Sequence, residues 1–473
     1  MSSTATPQAS WAELLHGRNG LRSIALAGGV ALHAVNIYVV TTILPTVIRE
    51  IGGLEYYAWN TTLFVVASIV GSALSAKLID ATGPRAAYLL ALAVFSLGAA
   101  GCALAPSMPV LLVGRAVQGF GGGVLFALSY ALIRVAFEAR LWPRAMALVS
   151  GMWGIATLCG PAIGGVFAEY GQWRPAFWVL LPAALVLALI VAGQFRGPVG
   201  GGVRAGRLPV SAIALLVLSV LAISAGGLAH SVPINVLGIV VGLLLAVVIA
   251  RIDRGADAKL LPSGAYSLAT PLGAIYAVMS LLMAAMTTEI FVPYFLQIIH
   301  GMTPLVAGYL TAAMAAGWTL ASLYSAGHGD DGADRLIRLS PVVVLAALLV
   351  LAATMPLDAW RGALLGAVVY GVALAAVGFG IGLSWPHLLA RVFSAARPGE
   401  ETLASSSITT VQLYATALAA ALAGVIANAA GLTDPGAIDG ARSAALAVFG
   451  TFAIAPACAV LLSMRVGRGR ARD

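Results

Sequence analysis

The sequence predicts an all-α integral membrane protein with 14 transmembrane helices, arranged as two pseudo-symmetric six-helix bundles plus an inserted two-helix hairpin. Three observations predict this fold class. Of the 473 residues, 60% are hydrophobic and 9% are charged, which is more apolar surface than a soluble core of this length can hide. Apolar runs of about 20 residues, the length that crosses a bilayer, recur along the chain. Two short similarities between the halves also recur at nearly one offset.

The apolar runs give the predicted spans in chain order. The first run is too long for a signal peptide and lacks a small-residue cleavage site, so we interpret it as a retained span. The fourteen predicted spans cover residues 22–47, 57–79, 86–105, 108–133, 145–169, 175–195, 209–229, 232–250, 269–298, 305–325, 338–356, 362–389, 402–429 and 442–464.

The distribution of Lys and Arg predicts the orientation. An even number of spans places both termini on one side, and if that side is the cytoplasm, most of the 26 Lys and Arg residues fall in cytoplasmic tails, loops and helix ends. The exceptions are Arg49, Arg174, Arg361 and Arg442 on the outer side and Arg115 within a span. The net charge of +8 therefore follows from topology and gives no support for nucleic-acid binding.

The two middle spans form the predicted hairpin. They begin after Arg204 and Arg207 and end before Arg251, as expected for a segment that crosses the membrane and returns. The predicted organisation is a cytoplasmic tail (1–21), an N-terminal six-helix bundle (22–195), the inserted hairpin with flanking cytoplasmic loops (196–267), a C-terminal six-helix bundle (268–464) and a basic cytoplasmic tail (465–473).

A weak internal repeat supports two related bundles. AKLIDATGPR follows the second span, and AGHGDDGADR occupies the equivalent break in the second half, which places Asp80 opposite Asp330. Pro45 and Pro293 correspond at nearly the same offset. Parallel repeats of this kind are typical of secondary transporters whose substrate site lies near the midplane between the halves.

The loop after the second span contains Asp80, Gly83 and Arg85. An acid at a helix end can pair with a cation such as Arg134 and interact with a neighbouring helix N-terminus. Such an arrangement would hold in one conformational state only, so we interpret these residues as a conformational latch. The alternative is a solvated loop charge that only obeys the topology rule.

The fourth predicted span contains an arginine in LLVGRAVQGFGGG, residues 111–123. Arg115, Gln118 and the glycines that follow repeat at three and four residues, so they share one helix face. Insertion of an Arg at the bilayer centre costs about 2.5–3.5 kcal/mol, so it usually faces a partner or a wet cavity. The alternative is an Arg that only bonds helix carbonyls.

The fifth predicted span contains CGPAIGG, residues 159–165, with Ala156 one turn earlier. Small residues allow close helix packing, and Pro161 removes a backbone donor and bends the helix. The pattern predicts a helix that seals against a neighbour along one face. Its members are Ala156, Gly160, Pro161, Gly164 and Gly165.

With these motifs the sequence resembles the major facilitator superfamily, specifically its fourteen-span drug:proton antiporter branch, over essentially the whole chain. The loop is similar to the family's cytoplasmic signature, although Ala76 and Ala81 replace a glycine and a basic residue. The fourth-span and fifth-span motifs resemble the intramembrane Arg motif and the antiporter signature, with Ala156 in place of a glycine. The resemblance implies transport driven by a proton gradient, without another cofactor, by a monomer in a bacterial cytoplasmic membrane with cytoplasmic termini.

The first predicted span departs from that branch. The branch typically carries an acid nine residues before the proline that ends this span, and here that position is Asn36, which cannot exchange a proton. His33 lies on the same helix face and can titrate. The alternative for His33 is a hydrogen-bonded packing residue.

Glu289 is the only acid within the predicted span interiors. By resemblance, the ninth span corresponds to the seventh helix of a twelve-helix core and lines the central cavity with the helices that carry Asn36 and Arg115. A carboxylate between a desolvating environment and a nearby cation can exchange protons as access changes. We interpret Glu289 as the leading coupling residue and a candidate anchor for cationic substrate; the alternative is a static ion pair with Arg115.

The predicted function is proton-coupled export of amphipathic small molecules by alternating access. An ATP-driven pump is disfavoured because Lys77 and Lys259 are each followed by Leu and lie outside any phosphate-binding Gly-Lys-Ser/Thr sequence. A membrane enzyme would need clustered His or carboxylates, whereas the six His are dispersed; three scattered Cys indicate neither a disulfide framework nor a metal site. The alternative is the same fold exporting an organic anion or acidic lipid through Arg115, or, less favoured, a membrane protein that transports nothing.

Overall fold

The computed structural model describes residues 10–194, 207–229, 231–357 and 362–466. Within these ranges the regular structure is helical, with no β-strand. The described residues do not include Arg361, the loop that contains Arg204 or most of the predicted basic tail. The side chain of Asp330, which the internal repeat aligns with Asp80, also lies outside them.

Eighteen α-helices form the described part of the chain. In the first half they are α1 (Trp11–Leu15), α2 (Gly17–Ile51), α3 (Trp59–Ala103), α4 (Met108–Ala131), α5 (Ile133–Ala136), α6 (Trp142–Glu169), α7 (Arg174–Trp178) and α8 (Leu180–Gln194). The middle pair is α9 (Val210–Gly226) and α10 (Val232–Gly255). The second half contains α11 (Pro271–Met286), α12 (Val292–Ile298), α13 (Pro304–Ser325), α14 (Asp330–Thr354), α15 (Leu364–Ala395), α16 (Glu401–Ala429), α17 (Ala437–Phe452) and α18 (Ile454–Val466).

Twelve helical segments in the described residues are long and apolar enough to cross a membrane. One of them, Leu54–Ala103, contains both the second and the third predicted spans. The seventh predicted span corresponds to α9, which has only 17 residues. The structure therefore shows an all-helical membrane protein with twelve candidate spans, and the count of fourteen stays a prediction.

Helix α3 is interrupted at Gly83, where φ is 79° and ψ is 162°. A side chain at positive φ is strained, and the following Pro84 cannot donate a helical hydrogen bond, so the helix breaks here. Both halves of α3 lie beside α4. Later residues of the first half contact later residues of α4, whereas later residues of the second half contact earlier residues of α4. The contacting pairs are Ser68–Gly119 and Ser72–Gly123 in the first half and Phe95–Gly121 and Gly98–Gln118 in the second. The chain therefore reverses direction at Gly83.

Two groups of helices pack mainly within themselves, α2 to α8 and α11 to α18. They are called the N-terminal and C-terminal bundles below. A buried cluster including Leu26, Tyr88 and Leu128 lies within the N-terminal bundle, whereas the largest cluster contains residues of both bundles, such as Ile43 and Phe295. The hydrophobic core is thus continuous across the bundle interface.

The bundles meet at the end of the molecule where α2 ends and α13 begins, called the Ile51 end. Helix α6 packs against α13 there, and α3 packs against α16. Asn428 of α16 donates hydrogen bonds from Nδ2 to the carbonyl oxygens of Glu55 (3.0 Å) and Gly227 (3.2 Å). Under the predicted orientation this is the outer end.

The α9–α10 pair packs on α3 and α16 at the seam between the bundles. Val220 and Ile223 of α9 join a buried cluster with Phe64 of α3 and Val425 of α16. The hydroxyls of Ser219 and Tyr414 lie 2.9 Å apart, which adds a polar contact between α9 and α16. The pair therefore touches both bundles, and the Ser219–Tyr414 contact joins it to the C-terminal one.

The predicted ninth span is interrupted where it was expected to be one helix. Helix α11 ends at Met286, a 3₁₀ turn covers Thr287–Ile290, and α12 starts at Val292. Pro293 has no N–H to donate to the carbonyl of residue 289, four positions earlier, so the α-helical ladder cannot continue there. Glu289 therefore sits on an irregular turn.

Candidate functional site

Glu289 lies at the junction of the two bundles. Its side chain is half-buried, yet Oε2 is enclosed and has no hydrogen-bond partner. Tyr38 of α2 lies close enough for the two groups to interact electrostatically. No ion pair to Glu289 occurs within the described ranges. The structure thus brings the predicted carboxylate next to the first long helix without giving it a cation.

Aromatic rings from both bundles pack together at the residues that directly follow the turn carrying Glu289. Tyr57, just before α3, stacks on Phe291 with ring centroids 4.9 Å apart and meets the edge of Tyr294 at 5.4 Å. The Tyr57 hydroxyl is buried without a hydrogen-bond partner. These buried rings thus join the two bundles, and an unsatisfied hydroxyl lies among them.

Arg115 does not pair with Glu289 in this conformation. Its Nη1 donates to Gln118 Oε1 at 2.6 Å, and its Nε donates to the carbonyl of Asn60 at 3.4 Å. The guanidinium carbon lies 4.1 Å from the centroid of the Phe64 ring. The static Arg115–Glu289 pair considered above is thus absent from this structure, and Arg115 is held inside the N-terminal bundle.

His33 and Asn36 are both buried on the inner face of α2. The His33 ring lies 5.2 Å from Phe64 and 5.5 Å from Phe126, measured between centroids, and its Nδ1 has no hydrogen-bond partner. Neither polar atom of the Asn36 side chain has one either. Both residues lie where the first-span face was expected to point, and their roles stay predictions.

The predicted latch is not assembled as an ion pair between Asp80 and Arg134. The guanidinium of Arg134 instead lies 5.6 Å from the centroid of the Trp142 ring. Gly83 forms the turn described above and is followed closely by Arg85. Because the latch was expected in one conformational state only, its role stays a prediction.

The fifth-span motif lies on α6 and packs against α2 on one side. A Cβ on Gly164 would lie 2.8 Å from the Val39 carbonyl, and Gly160 faces the Cβ of Tyr38. Ala156 is buried in a cluster with Tyr38. Close helix packing by small residues is therefore observed at the predicted positions.

The same motif also reaches the other bundle. A Cβ on Gly165 would lie 2.6 Å from the Cα of Leu305 in α13. Conversely, a Cβ on Gly308 of α13 would lie 3.1 Å from the Cβ of Pro161. The motif thus forms part of the contact that closes the Ile51 end.

Sequence reasoning missed Tyr38, Tyr57 and Asn60. Asn60 was the most accessible to prediction, because an amide at the start of an apolar span is unusual and costly unless it is bonded. The two tyrosines gave no signal, since aromatic residues are common near membrane interfaces.

Comparisons with known proteins agree with this geometry. The family model described as "Major Facilitator Superfamily" matches residues 26–420. A protein of Mycobacterium tuberculosis named "Probable multidrug-efflux transporter" is 40% identical over 438 residues, which is 91% of this chain and 92% of the relative. "Multidrug resistance protein 3" of Bacillus subtilis is 22% identical, covering 85% of this chain and 78% of that protein.

Solved structures match in fold. A peptide transporter mutant in complex with sulfate superposes with a TM-score of 0.70 at 13% identity, covering 98% of this chain and 97% of that one. A bacterial homologue of the human lysosomal transporter Spinster gives 0.64 at 16% identity, covering 95% and 97%. At such identities the likeness concerns the fold alone.

Proposed function

The chain belongs to the Major Facilitator Superfamily, and on this premise we propose that it exports amphipathic small molecules in exchange for protons, with Glu289 as the proton-carrying group. It is a secondary transporter of the multidrug-efflux type and not an enzyme. We propose three further properties: coupling to protons, transport out of the cell, and Glu289 as the coupling residue.

One observation carries the coupling role: the enclosed Oε2 of Glu289 has neither a hydrogen-bond donor nor a cation within the described ranges. An ionised carboxylate is costly in such a place, and proton binding removes that cost. If Glu289 becomes hydrated when the bundles separate, it can release the proton. Proton binding is thereby linked to the conformation of the bundles.

The positions at which the bundles touch support alternating access. The α6–α13 and α3–α16 contacts close the Ile51 end, while Glu289, on the turn between α11 and α12, interacts electrostatically with Tyr38 of α2. Opening this end requires Gly165 to part from Leu305 and Asn428 to part from Glu55. The bundles then rock around the site that holds Glu289.

The surroundings of Glu289 favour amphipathic cationic or neutral cargo. Tyr57 of the N-terminal bundle stacks on Phe291 of the C-terminal bundle, so separation of the bundles would uncover flat apolar faces that suit an aromatic cation. Arg115 is 2% exposed and engaged within its own bundle, so it does not present a cation at this interface. This observation disfavours anionic cargo at the Glu289 site.

The fourteen-span arrangement belongs to the same proposal. The reversal at Gly83 divides α3 into two membrane-crossing helices. Helix α9 would extend about 25 Å at 1.5 Å per residue, slightly less than a hydrocarbon core of about 30 Å, which local thinning of the bilayer can accommodate. We place both termini in the cytoplasm of a bacterial cell, with the monomer as the working unit.

Transport in liposomes tests the function. Purified protein would be reconstituted with an imposed pH gradient, and uptake of a cationic dye would be recorded together with internal pH. The proposal requires dye accumulation that depends on the gradient and is matched by counterflow of protons. Accumulation that is unaffected when the gradient is collapsed would contradict proton coupling, although the family would stand.

A further inference from the structure

We infer that Arg115 is the centre of a buried anion-binding site within the N-terminal bundle, and that its ligand is a monovalent anion, either chloride or the carboxylate of a bound molecule. The site is formed by α2, α3 and α4 through Asn36, Asn60 and Gln118 together with Arg115. It is separate from Glu289 and does not depend on proton coupling.

The first argument is charge. Arg115 is 2% exposed and makes no ion pair with any carboxylate in the described part of the chain. The ring of Phe64 covers one side of the guanidinium at 4.1 Å, which stabilises a cation but supplies no countercharge. A buried cation without a counterion is strongly disfavoured, so the site carries an uncompensated positive charge.

The second argument is the set of unused hydrogen-bond donors. Gln118 is fixed to Arg115 through Oε1, which leaves its Nε2 buried without an acceptor. Asn60 accepts from Arg115 through its backbone carbonyl, and its side-chain Nδ2 and Oδ1 are both buried and unpaired. Nη2 of Arg115 makes no hydrogen bond to any described residue. Two buried amide N–H groups, on the residues that bond Arg115, are thus unused in addition to Nη2 of Arg115 itself.

Asn36 on the neighbouring helix α2 carries a further unpaired amide. Its Nδ2 and Oδ1 are both buried without partners. It lies one helical turn from His33, whose ring is 5.2 Å from the Phe64 ring that covers Arg115. Buried amides with unpaired atoms therefore occur on three helices, α2, α3 and α4.

The chemistry of this set selects an anion. Water can satisfy N–H groups but leaves the charge of Arg115 uncompensated, and a cation would be repelled. A monovalent anion balances one guanidinium and accepts several N–H bonds, which are strong when donor or acceptor is charged. Chloride and a carboxylate share these properties, so the experiment has an arm for each.

Thermal unfolding of the purified full-length protein tests the site. Sodium methanesulfonate would be replaced stepwise by sodium chloride, or separately by sodium acetate, at constant ionic strength. We expect a saturable rise in Tm on the order of 2 °C in at least one arm, because a ligand that binds only the folded state stabilises it. A rise with chloride identifies a free halide as ligand; a rise with acetate alone identifies a carboxylate. Equal Tm in all three salts would overturn the inference.

Variants separate the site from general salt effects. Arg115→Met is expected to abolish the saturable rise, whereas Arg174→Gln, which changes an Arg at the exposed Ile51 end, is expected to keep it. Should Arg115→Met fail to fold, Gln118→Met removes one donor and is expected to raise the half-saturating anion concentration about tenfold. An unchanged saturation curve in Arg115→Met, or in Gln118→Met where the first variant does not fold, would show that the anion acts elsewhere.

Discussion

Gly165 of the N-terminal bundle lies directly against Leu305 of the C-terminal bundle, so closely that a single added carbon on Gly165 would come within 2.6 Å of the Leu305 Cα. Backbone of one bundle therefore touches backbone of the other without an intervening side chain. The glycine motif, whose spacing indicated tight packing, forms a contact between the bundles, and under the proposed mechanism this contact opens during transport.

Gly165→Val is expected to hold the Ile51 end open. Overpacking of a tight contact costs about 1–3 kcal/mol, which shifts a two-state equilibrium roughly tenfold or more. Transport should fall by about that factor, and a cysteine at Leu305 in the variant should react faster with a thiol reagent. Gly151→Val on the same helix is the control, because nothing lies within 4 Å of a Cβ there. Equal transport by the two variants would refute the gating role.

Glu289→Gln is expected to uncouple transport from the proton gradient. The amide has nearly the shape of the carboxyl group but cannot release a proton, so gradient-driven accumulation should be lost while exchange of dye across the membrane persists. Internal pH and dye uptake in liposomes measure both. Glu169→Gln serves as the control, because that exposed carboxylate makes no hydrogen bond among the described residues. Uphill transport by Glu289→Gln at the wild-type rate would exclude Glu289 as the coupling group.

The hairpin is expected to move with the C-terminal bundle. Gly227 lies against Val425 of α16, with 2.7 Å between a built Cβ and Val425 Cγ2, whereas Gly424 lies 2.8 Å from the Cβ of Ala58 in the N-terminal bundle. In a background without native cysteines, a disulfide between positions 227 and 425 should leave transport nearly intact. A disulfide between positions 58 and 424 should stop it until it is reduced. Loss of transport with the 227–425 disulfide would show that the hairpin does not move with the C-terminal bundle.

Glu400 is expected to make stability fall at acidic pH. Its carboxylate accepts hydrogen bonds from Ser263 Oγ (2.7 Å) and N (2.9 Å) and lies 3.9 Å from Lys259 Nζ, and the hydrogen bonds of Ser263 are the main reason that the pKa of Glu400 lies below its usual value. A pKa that is lower in the folded state contributes stability above the unfolded value of about 4.3 and loses it as pH falls through the folded value.

A Tm profile from neutral to acidic pH measures this contribution. Glu400→Gln should lower Tm at neutral pH and converge with the wild type once the carboxylate is protonated. Glu169→Gln should leave the profile unchanged. Parallel profiles for wild type and Glu400→Gln would show that this hydrogen-bonded carboxylate does not contribute to acid sensitivity.

Several features could be predicted from local sequence. Hydropathy identified the membrane class, because the length of an apolar helix and the thickness of a bilayer are matched. The glycines from Gly160 to Gly165 predicted close packing, because a residue without a side chain lets a neighbouring helix backbone come close. The span count was less accessible: Gly83 reverses α3 within one continuous helical segment, and α9 is shorter than expected.

The break at Glu289 was missed for a physical reason. An apolar run interrupted by one Pro is compatible with either a kinked helix or a 3₁₀ turn, and packing against the other bundle decides between them. The partner of Arg115 could not be predicted either. The sequence places Arg115 and Glu289 in membrane spans but does not give the distance between their side chains.

The sequence by itself determined that this chain is a helical membrane protein, which chemical groups its membrane interior contains, and which helix faces are small enough to pack closely, because these depend on residue type and short spacing. Only the tertiary structure decided that Glu289 interacts electrostatically with Tyr38, that Arg115 bonds Asn60 and Gln118, and that Gly165 packs against Leu305. The long-range pairs among these join residues far apart in the chain, and their proximity depends on how whole helices pack.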